Sequence, residues 1–226
     1  MKGTVVNTAA IIAGGSLGVV LGHRVSESLK ETVMQGLSLA VFLIGGKMAL
    51  ETNNISIVIF SLLLGGIIGE LLGIEARLNN IGDWLEDKVS SEDGNVTEAF
   101  VRTTLIYCVG AMALMGAIQD GLTGDPSTLY AKSMLDGFSS IAFASTMGVG
   151  VIFSSVAVFI YQGSITLLAS SVQTILTPEI IAEMTATGGL LIIAISINIL
   201  EMAEIKVGNL LPGIFVAVVL SYFFIN

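Results

Sequence analysis

"GNLLPGI" (Gly208–Ile214) sets an asparagine and a proline inside an apolar run near the end of the chain. Far upstream the chain reads "SLLLGGI" (Ser61–Ile67). The two align without a gap. Leu63 falls on Leu210, Leu64 on Leu211, Gly66 on Gly213 and Ile67 on Ile214, with Gly65 facing Pro212. Leucine and glycine are common here, so the weight of this match depends on its neighbours. The segment before each motif also matches: "GLSLAVFLIGGKMALE" (36–51) against "GLLIIAISINILEMAE" (189–204) pairs Gly36 with Gly189, Ile44 with Ile197 and Glu51 with Glu204. One segment further back, "NTAAIIAGGSLGVVL" (7–21) meets "QGSITLLASSVQTIL" (162–176), pairing Asn7 with Gln162 and Ser16 with Ser171. Three consecutive segments therefore match in order.

Composition says what these segments are. Of 226 residues, 54% are hydrophobic and 12% charged, and the mean hydropathy is +0.90. A soluble domain carries about 25% charged residues, and half that share cannot cover a globule of this size. The apolar residues also come in runs of about 20, the length of a helix across a hydrocarbon core. The short alternating segments of a β-barrel are missing from the pattern. The sequence therefore predicts an all-α, polytopic transmembrane helical bundle. Eight helices are expected, over about 4–22, 33–50, 56–73, 98–119, 137–155, 157–174, 186–203 and 207–225. Residues 137–174 read equally as two spans with a tight turn or as one span plus a re-entrant piece, which would leave seven spans. The N-terminal run resembles a signal peptide, but Asn7 and Thr8 interrupt it and it is long enough to span, so a retained helix is expected.

With two spans lying between them, spans 1–3 and 6–8 run in opposite directions through the membrane. That is an inverted-topology repeat, which in secondary transporters places the binding site near the midplane at the repeat interface. The expected organisation is one transmembrane domain: a first repeat over 1–73, a cytoplasmic amphipathic helix and loop over 74–97, a central helix pair over 98–156 and a second repeat over 157–226. Ile74, Leu78, Ile81, Leu85 and Val89 recur at helical spacing between acids and amides, with Trp84 as an interfacial anchor. Eight spans with both termini outside collect Arg24, Lys30, Arg77, Lys88, Arg102 and Lys206 on one side, as cytoplasmic loops require.

The net charge is −9, and nothing basic and clustered suggests nucleic acid. Cys108 is the single cysteine and His23 the single histidine, so a metal site of such ligands is not expected. No cofactor motif is present. No nucleophile has an evident base and no phosphate loop is found, so an enzyme is not expected.

Polar groups in hydrocarbon need a partner or a water-filled cavity. Asn7 and Gln162 are equivalent in the repeat, and Asn198 lies in an apolar run. "DGFSSIAFASTMGVGVIFSS" (136–155) offers Asp136, Ser139 and Ser140 beside glycines. Close helix packing alone explains small residues of this kind, but the hydroxyls also suit ion or solute coordination. "GAIQDG" ends the preceding helix, so Asp120 is expected to face Asp136 across a connection over 121–135. Pro212 removes a backbone hydrogen bond from the last span. Gly65–Gly66 is permissive at the same repeat position. Gly65, Gly66, Pro212 and Gly213 are therefore candidate helix breaks or hinges.

"NTAAIIAGGSLGVVLG", "GLSLAVFLIGGKMALE", "GFSSIAFASTMGVGVIFSS", "YQGSITLLA" and "NILEMAEIKVGNLLP" together resemble the bacterial multi-span membrane proteins of the YdfK/YqgA type, a family defined by a domain of unknown function. The resemblance covers nearly the whole chain. It implies a multi-pass protein of the bacterial cytoplasmic (inner) membrane and carries no activity with it. From the repeat and the polar pattern, the expected function is a small secondary transporter. It would move a cation or small polar solute by alternating access, coupled to Na⁺ or H⁺. The alternatives are a non-transporting scaffold or regulatory protein, or an oligomeric channel. The expected partners are the lipid bilayer and a small molecule or ion; small-residue helix faces are also compatible with a homodimer.

Overall fold

The computed structural model describes residues 1–22, 26–77, 80, 96–108, 111–171 and 176–224. Their principal elements are helices, with no strand among the described residues: α1 (Lys2–Gly22), α2 (Glu27–Ala49), α3 (Ile55–Leu72), α4 (Val96–Cys108), α5 (Ala111–Thr123), α6 (Ser127–Met147), α7 (Gly150–Leu167), α8 (Pro178–Ile199), α9 (Val207–Leu210) and α10 (Pro212–Phe224). Six stretches among them are long and apolar enough to cross a membrane: α1, Glu31–Ala49 of α2, α3, α7, α8, and Val207–Phe224 spanning α9 and α10. Val96–Cys108 and Met112–Thr123, bent by 60° at the break between them, would together make a seventh. α6 occupies the place of the remaining expected span. It is long enough but, carrying Lys132 and Asp136, is less apolar than those six stretches.

Helix boundaries follow local chemistry. Asn54 caps α3 by accepting from the Ser56 N–H at 3.2 Å. Gly73, with φ +59°, closes the same helix, returning its N–H to Glu70 and Gly69. Thr177 caps α8, with Pro178 in the first turn, where a missing N–H costs nothing. The long apolar stretch of 137–174 divides into two helices with the turn at Gly148–Val149. That is eight residues earlier than expected, because Gly148 takes φ +77°, open at low cost only to glycine. The preceding helix correspondingly begins at Ser127 and α5 runs to Thr123, so only Gly124–Pro126 of the expected 121–135 connection is not helical.

The chain forms two compact units. The first comprises Met1–Leu37, Asn79–Cys108 and Met112–Ser170; the second comprises Ser38–Leu78, Val109–Ala111 and Ser171–Asn226. In the first unit α1 lies parallel to α6 at very close range. A methyl group at Gly14, Gly18 or Gly22 would run into the backbone carbonyl of Gly137, Ile141 or Ser145. These glycines recur every four residues, so they form one bare stripe along the helix. α7 runs antiparallel to α1 and packs through Gly150 against Val96 and Ala99 of α4.

In the second unit the segments that align in sequence pack on one another. α2 crosses α8 antiparallel, with Gly45 against Gly189 and the Ser38 and Ser196 hydroxyls 3.0 Å apart, each also donating to the other's carbonyl at 2.8 Å. α3 crosses α10 at the duplicated motif itself, where a methyl on Gly65 would strike Gly213 and Pro212. The last span breaks at Leu211, directly before Pro212. α3 runs through Gly65–Gly66 unbroken, since glycine keeps the N–H that proline lacks.

Many large apolar side chains face outward, while others, such as Ile11, Leu129 and Leu191, form the interior. Leu63, Ile67 and Leu71 on α3 are 59%, 58% and 82% exposed, a stripe that only a hydrocarbon solvent tolerates. Asn7, Gln162 and Glu183 are instead 0% exposed. The expected amphipathic helix is helical at 74–77, but its Trp84 anchor, His23 and most of the Ser90–Thr97 loop lie outside the described residues; Val96 and Thr97 already belong to α4.

Candidate functional site

A buried ion pair and its polar neighbours lie inside the first unit, where α1, α4, α6 and α7 each contribute a side chain. Asp136 sits near the middle of α6 and is buried. Its Oδ2 accepts from the Lys132 ammonium one turn earlier, an ion pair with both side chains under a tenth exposed. The same oxygen accepts from Asn7 Nδ2 of α1 at 2.9 Å. Asn7 Nδ2 also donates to Gln162 Oε1 of α7 at 3.2 Å. The two amides that the repeat makes equivalent therefore bond directly to each other.

Tyr107, at the end of α4, closes another side. Its hydroxyl lies 2.8 Å from Ser140 Oγ, and its ring holds the Lys132 ammonium at 5.9 Å from the centroid. Such a placement is favourable to a desolvated cation. Phe143 meets the Tyr107 ring edge-on. Beyond the amides, the Thr4 and Thr166 hydroxyls lie 3.4 Å apart. Asp120 Oδ2 accepts from the Gly3 N–H at 3.1 Å and lies 2.8 Å from the Met1 amino nitrogen.

The electrostatics follow from burial. A lone charge at this depth is costly, and an ion pair there needs further hydrogen bonds to offset its desolvation. Asn7 and the Tyr107 ring supply those contacts, and the charges of Lys132 and Asp136 cancel. Two amide atoms remain without a partner among the described residues, Asn7 Oδ1 and Gln162 Nε2. No group of three or more His, Cys, Asp or Glu suited to a metal occurs among the described residues.

Of the candidates read from the sequence, Asn7, Asp136 and Gln162 come together, and Ser140 joins them through Tyr107. Asp120 belongs to the same unit but bonds at the start of α1. Ser139 turns back on its own helix, donating to the Leu135 carbonyl at 2.8 Å and the Asp136 carbonyl at 3.1 Å. Asn198 lies in the second unit and closes a turn there, exchanging hydrogen bonds of 2.8 and 2.9 Å with the Ile205 backbone. Lys132 and Tyr107 were not singled out from sequence. The i, i+4 spacing of Lys132 and Asp136 was the available signal.

The second unit has polar anchors of its own. Glu183, fully buried, accepts from Thr52 Oγ1 at 2.6 Å, from Asn53 N at 2.8 Å and from Asn54 N at 3.0 Å, and so pins the turn between α2 and α3. Asn209 donates to Glu70 at 2.6 Å and accepts from the Glu75 N–H at 2.8 Å, tying the end of α3 to α9. These contacts hold turns in place.

The chain is similar over its whole length to two bacterial proteins. It is 31% identical to the "Uncharacterized membrane protein YdfK" of Bacillus subtilis (strain 168), covering 98% of this chain and 96% of the relative. It is 30% identical to the "Uncharacterized protein YqgA" of Escherichia coli (strain K12), covering 97% of this chain and 95% of the relative. No solved structure matches it. Residues 2–222 match the family described as "Protein of unknown function (DUF554)", and with its apolar helices and whole-length similarity to YdfK and YqgA, the protein is a membrane protein belonging to that family.

Proposed function

We propose that this protein is a small secondary transporter that moves a cation or a small polar solute across the bacterial inner membrane by alternating access, coupled to Na⁺ or H⁺. The observation that carries the reading is the Asn7–Gln162 contact. Two residues matched in the sequence repeat bond to each other at 3.2 Å and adjoin a buried ion pair.

The helix packing supports an inverted repeat behind that contact. A twofold axis in the membrane plane makes any helix lying on it cross its own mate, antiparallel, at equivalent residues. α1 meets α7 at Asn7 and Gln162, which are matched. α3 meets α10 at Gly65 and Pro212–Gly213, also matched. α2 meets α8 around Gly45 and Gly189, with Ser38 opposite Ser196. Transporters with inverted repeats place their sites where such elements meet, and buried ionisable groups in spans mark substrate or ion paths.

Counterflow in proteoliposomes tests the reading. The solute would first be found by ligand-induced stabilisation of the purified protein, screening amino acids, carboxylates, nucleobases and sugars with and without Na⁺ at two pH values. Unlabelled solute trapped inside should then drive transient uptake of labelled solute, and the double variant Lys132→Gln/Asp136→Asn should abolish it. Flux without counterflow would indicate a channel instead. Absence of any flux would refute transport.

A further inference from the structure

Resting on the transport reading for its context, a narrower inference concerns what the site holds. We infer that the Asn7–Gln162 amide pair recognises a small, net-neutral solute bearing a carboxamide-type group, one donor beside one acceptor.

The argument begins at Asp136. An ionised carboxylate only accepts hydrogen bonds, so Asn7 must turn its Nδ2 toward Asp136, as it does at 2.9 Å. Nδ2 then faces Gln162, which must answer with its Oε1, as it does at 3.2 Å. Turning either amide over alone brings two donors or two acceptors together. The charge on Asp136 thus sets the polarity of both amides and leaves one defined acceptor and one defined donor unused. These are Asn7 Oδ1 and Gln162 Nε2, on side chains that are each 0% exposed and without a partner among the described residues.

Five buried hydroxyls, those of Ser61, Thr97, Thr104, Thr185 and Ser221, are also unpaired among the described residues, but a hydroxyl can rotate to a nearby carbonyl, whereas the orientation of these two amides is fixed by Asp136, so their free atoms call for an outside partner. The occupant must supply a donor to Asn7 Oδ1 and an acceptor to Gln162 Nε2. It must also be neutral. Lys132 and Asp136 already cancel within the cluster, so an ion of either sign would add an uncompensated charge at a depth where charge is expensive. A carboxamide meets all three conditions with its N–H, its carbonyl and its zero charge.

Acetamide, acetamidinium and acetate share one planar shape and differ in charge and in donors. Acetamidinium has no acceptor for Gln162, and acetate has no donor for Asn7. Each would be titrated against the purified full-length protein at constant ionic strength while thermal stability is followed, with acetamide counterflow measured in parallel. Acetamide should give a saturable rise in Tm. The two ions should bind at least about tenfold more weakly, the cost of leaving one buried group unpaired. Gln162→Met, of similar volume, should leave the unliganded protein at least as stable, because Asn7 Nδ2 keeps Asp136, and should lose the acetamide response. Gln162→Glu adds a negative charge and a second acceptor and should shift the preference to acetamidinium.

An equal or larger response to either ion overturns the inference, whatever the fate of the variants. So does the absence of any saturable response, in which case an internal water satisfies the pair. Acetamide binding without counterflow would leave the inference standing and remove transport. Counterflow of other solutes without acetamide binding would do the reverse.

Discussion

Separating Lys132 from Asp136 should be far more damaging than removing both. Both side chains are under a tenth exposed, so neither charge can be rescued by water. Asp136→Asn would leave the ammonium a neutral amide oxygen and the Tyr107 ring at 5.9 Å, but no counter-charge. Breaking a buried pair from one side costs about 3–5 kcal/mol, whereas replacing the whole pair by neutral groups is often close to neutral. Lys132→Gln should fall toward the lower end of that range, because Asp136 keeps the Asn7 donor at 2.9 Å. The double variant should lose no more than about 1–2 kcal/mol, since two neutral side chains no longer carry a charge penalty. The coupling energy would then be at least about 4 kcal/mol, well above the additivity error of about 0.3–0.5 kcal/mol for independent sites. Reversible unfolding in mixed micelles of rising SDS fraction measures all four proteins. Single variants that each lose under about 1 kcal/mol, and that add, would show that water reaches the pair, and the buried-site argument would fall.

Other outcomes follow from packing. Gly69→Ala should destabilise the protein by about 1–3 kcal/mol, because the new methyl collides with the Asn209 backbone, while Gly46→Ala has nothing within 4 Å and should gain up to about 1 kcal/mol in helix propensity; the same unfolding assay compares them. Glu183→Ala removes the carboxylate acceptor of the Asn53 N–H and one of the two acceptors of the Asn54 N–H, so amide exchange at Asn53 should accelerate markedly while that of the α10 core stays unchanged. Asp125, in the turn before α6, accepts from the Ser127 N–H at 3.0 Å. That bond first, then the Ser127 hydroxyl and Gln119, holds its carboxyl below the ordinary value. A depressed carboxyl contributes above its unfolded pKa and loses that contribution as pH falls through the lower folded one. Protection of the amides at the start of α6, measured relative to their intrinsic exchange rates at each pH, should therefore fall at acid pH, and Asp125→Asn should flatten that dependence.

The helices and the membrane character were legible because both are local properties. Run length and mean hydropathy need no partner, and the break before Pro212 follows from one missing N–H. The repeat also picked out Asn7 and Gln162 without any knowledge of packing, since a matched pair of amides in apolar runs stands out wherever the runs end up. The turn at Gly148 was less visible, as glycine also serves close packing here, and only the backbone angle tells the two uses apart.

Tertiary structure decided which polar groups share a site. Lys132 sat in a stretch that read as a loop, and an i, i+4 charge pair on a helix is normally solvated. It is buried because the glycine stripe of α1 lets that helix lie against α6. Ser139 and Asn198 offered the same chemistry as Ser140 and Gln162, yet their direction around each helix sends them to a backbone carbonyl and a turn. Residue type and spacing determine what a side chain can bond. Packing alone determines what it meets, and in this protein the meeting of Asn7, Gln162 and Asp136 leaves one acceptor and one donor to be filled.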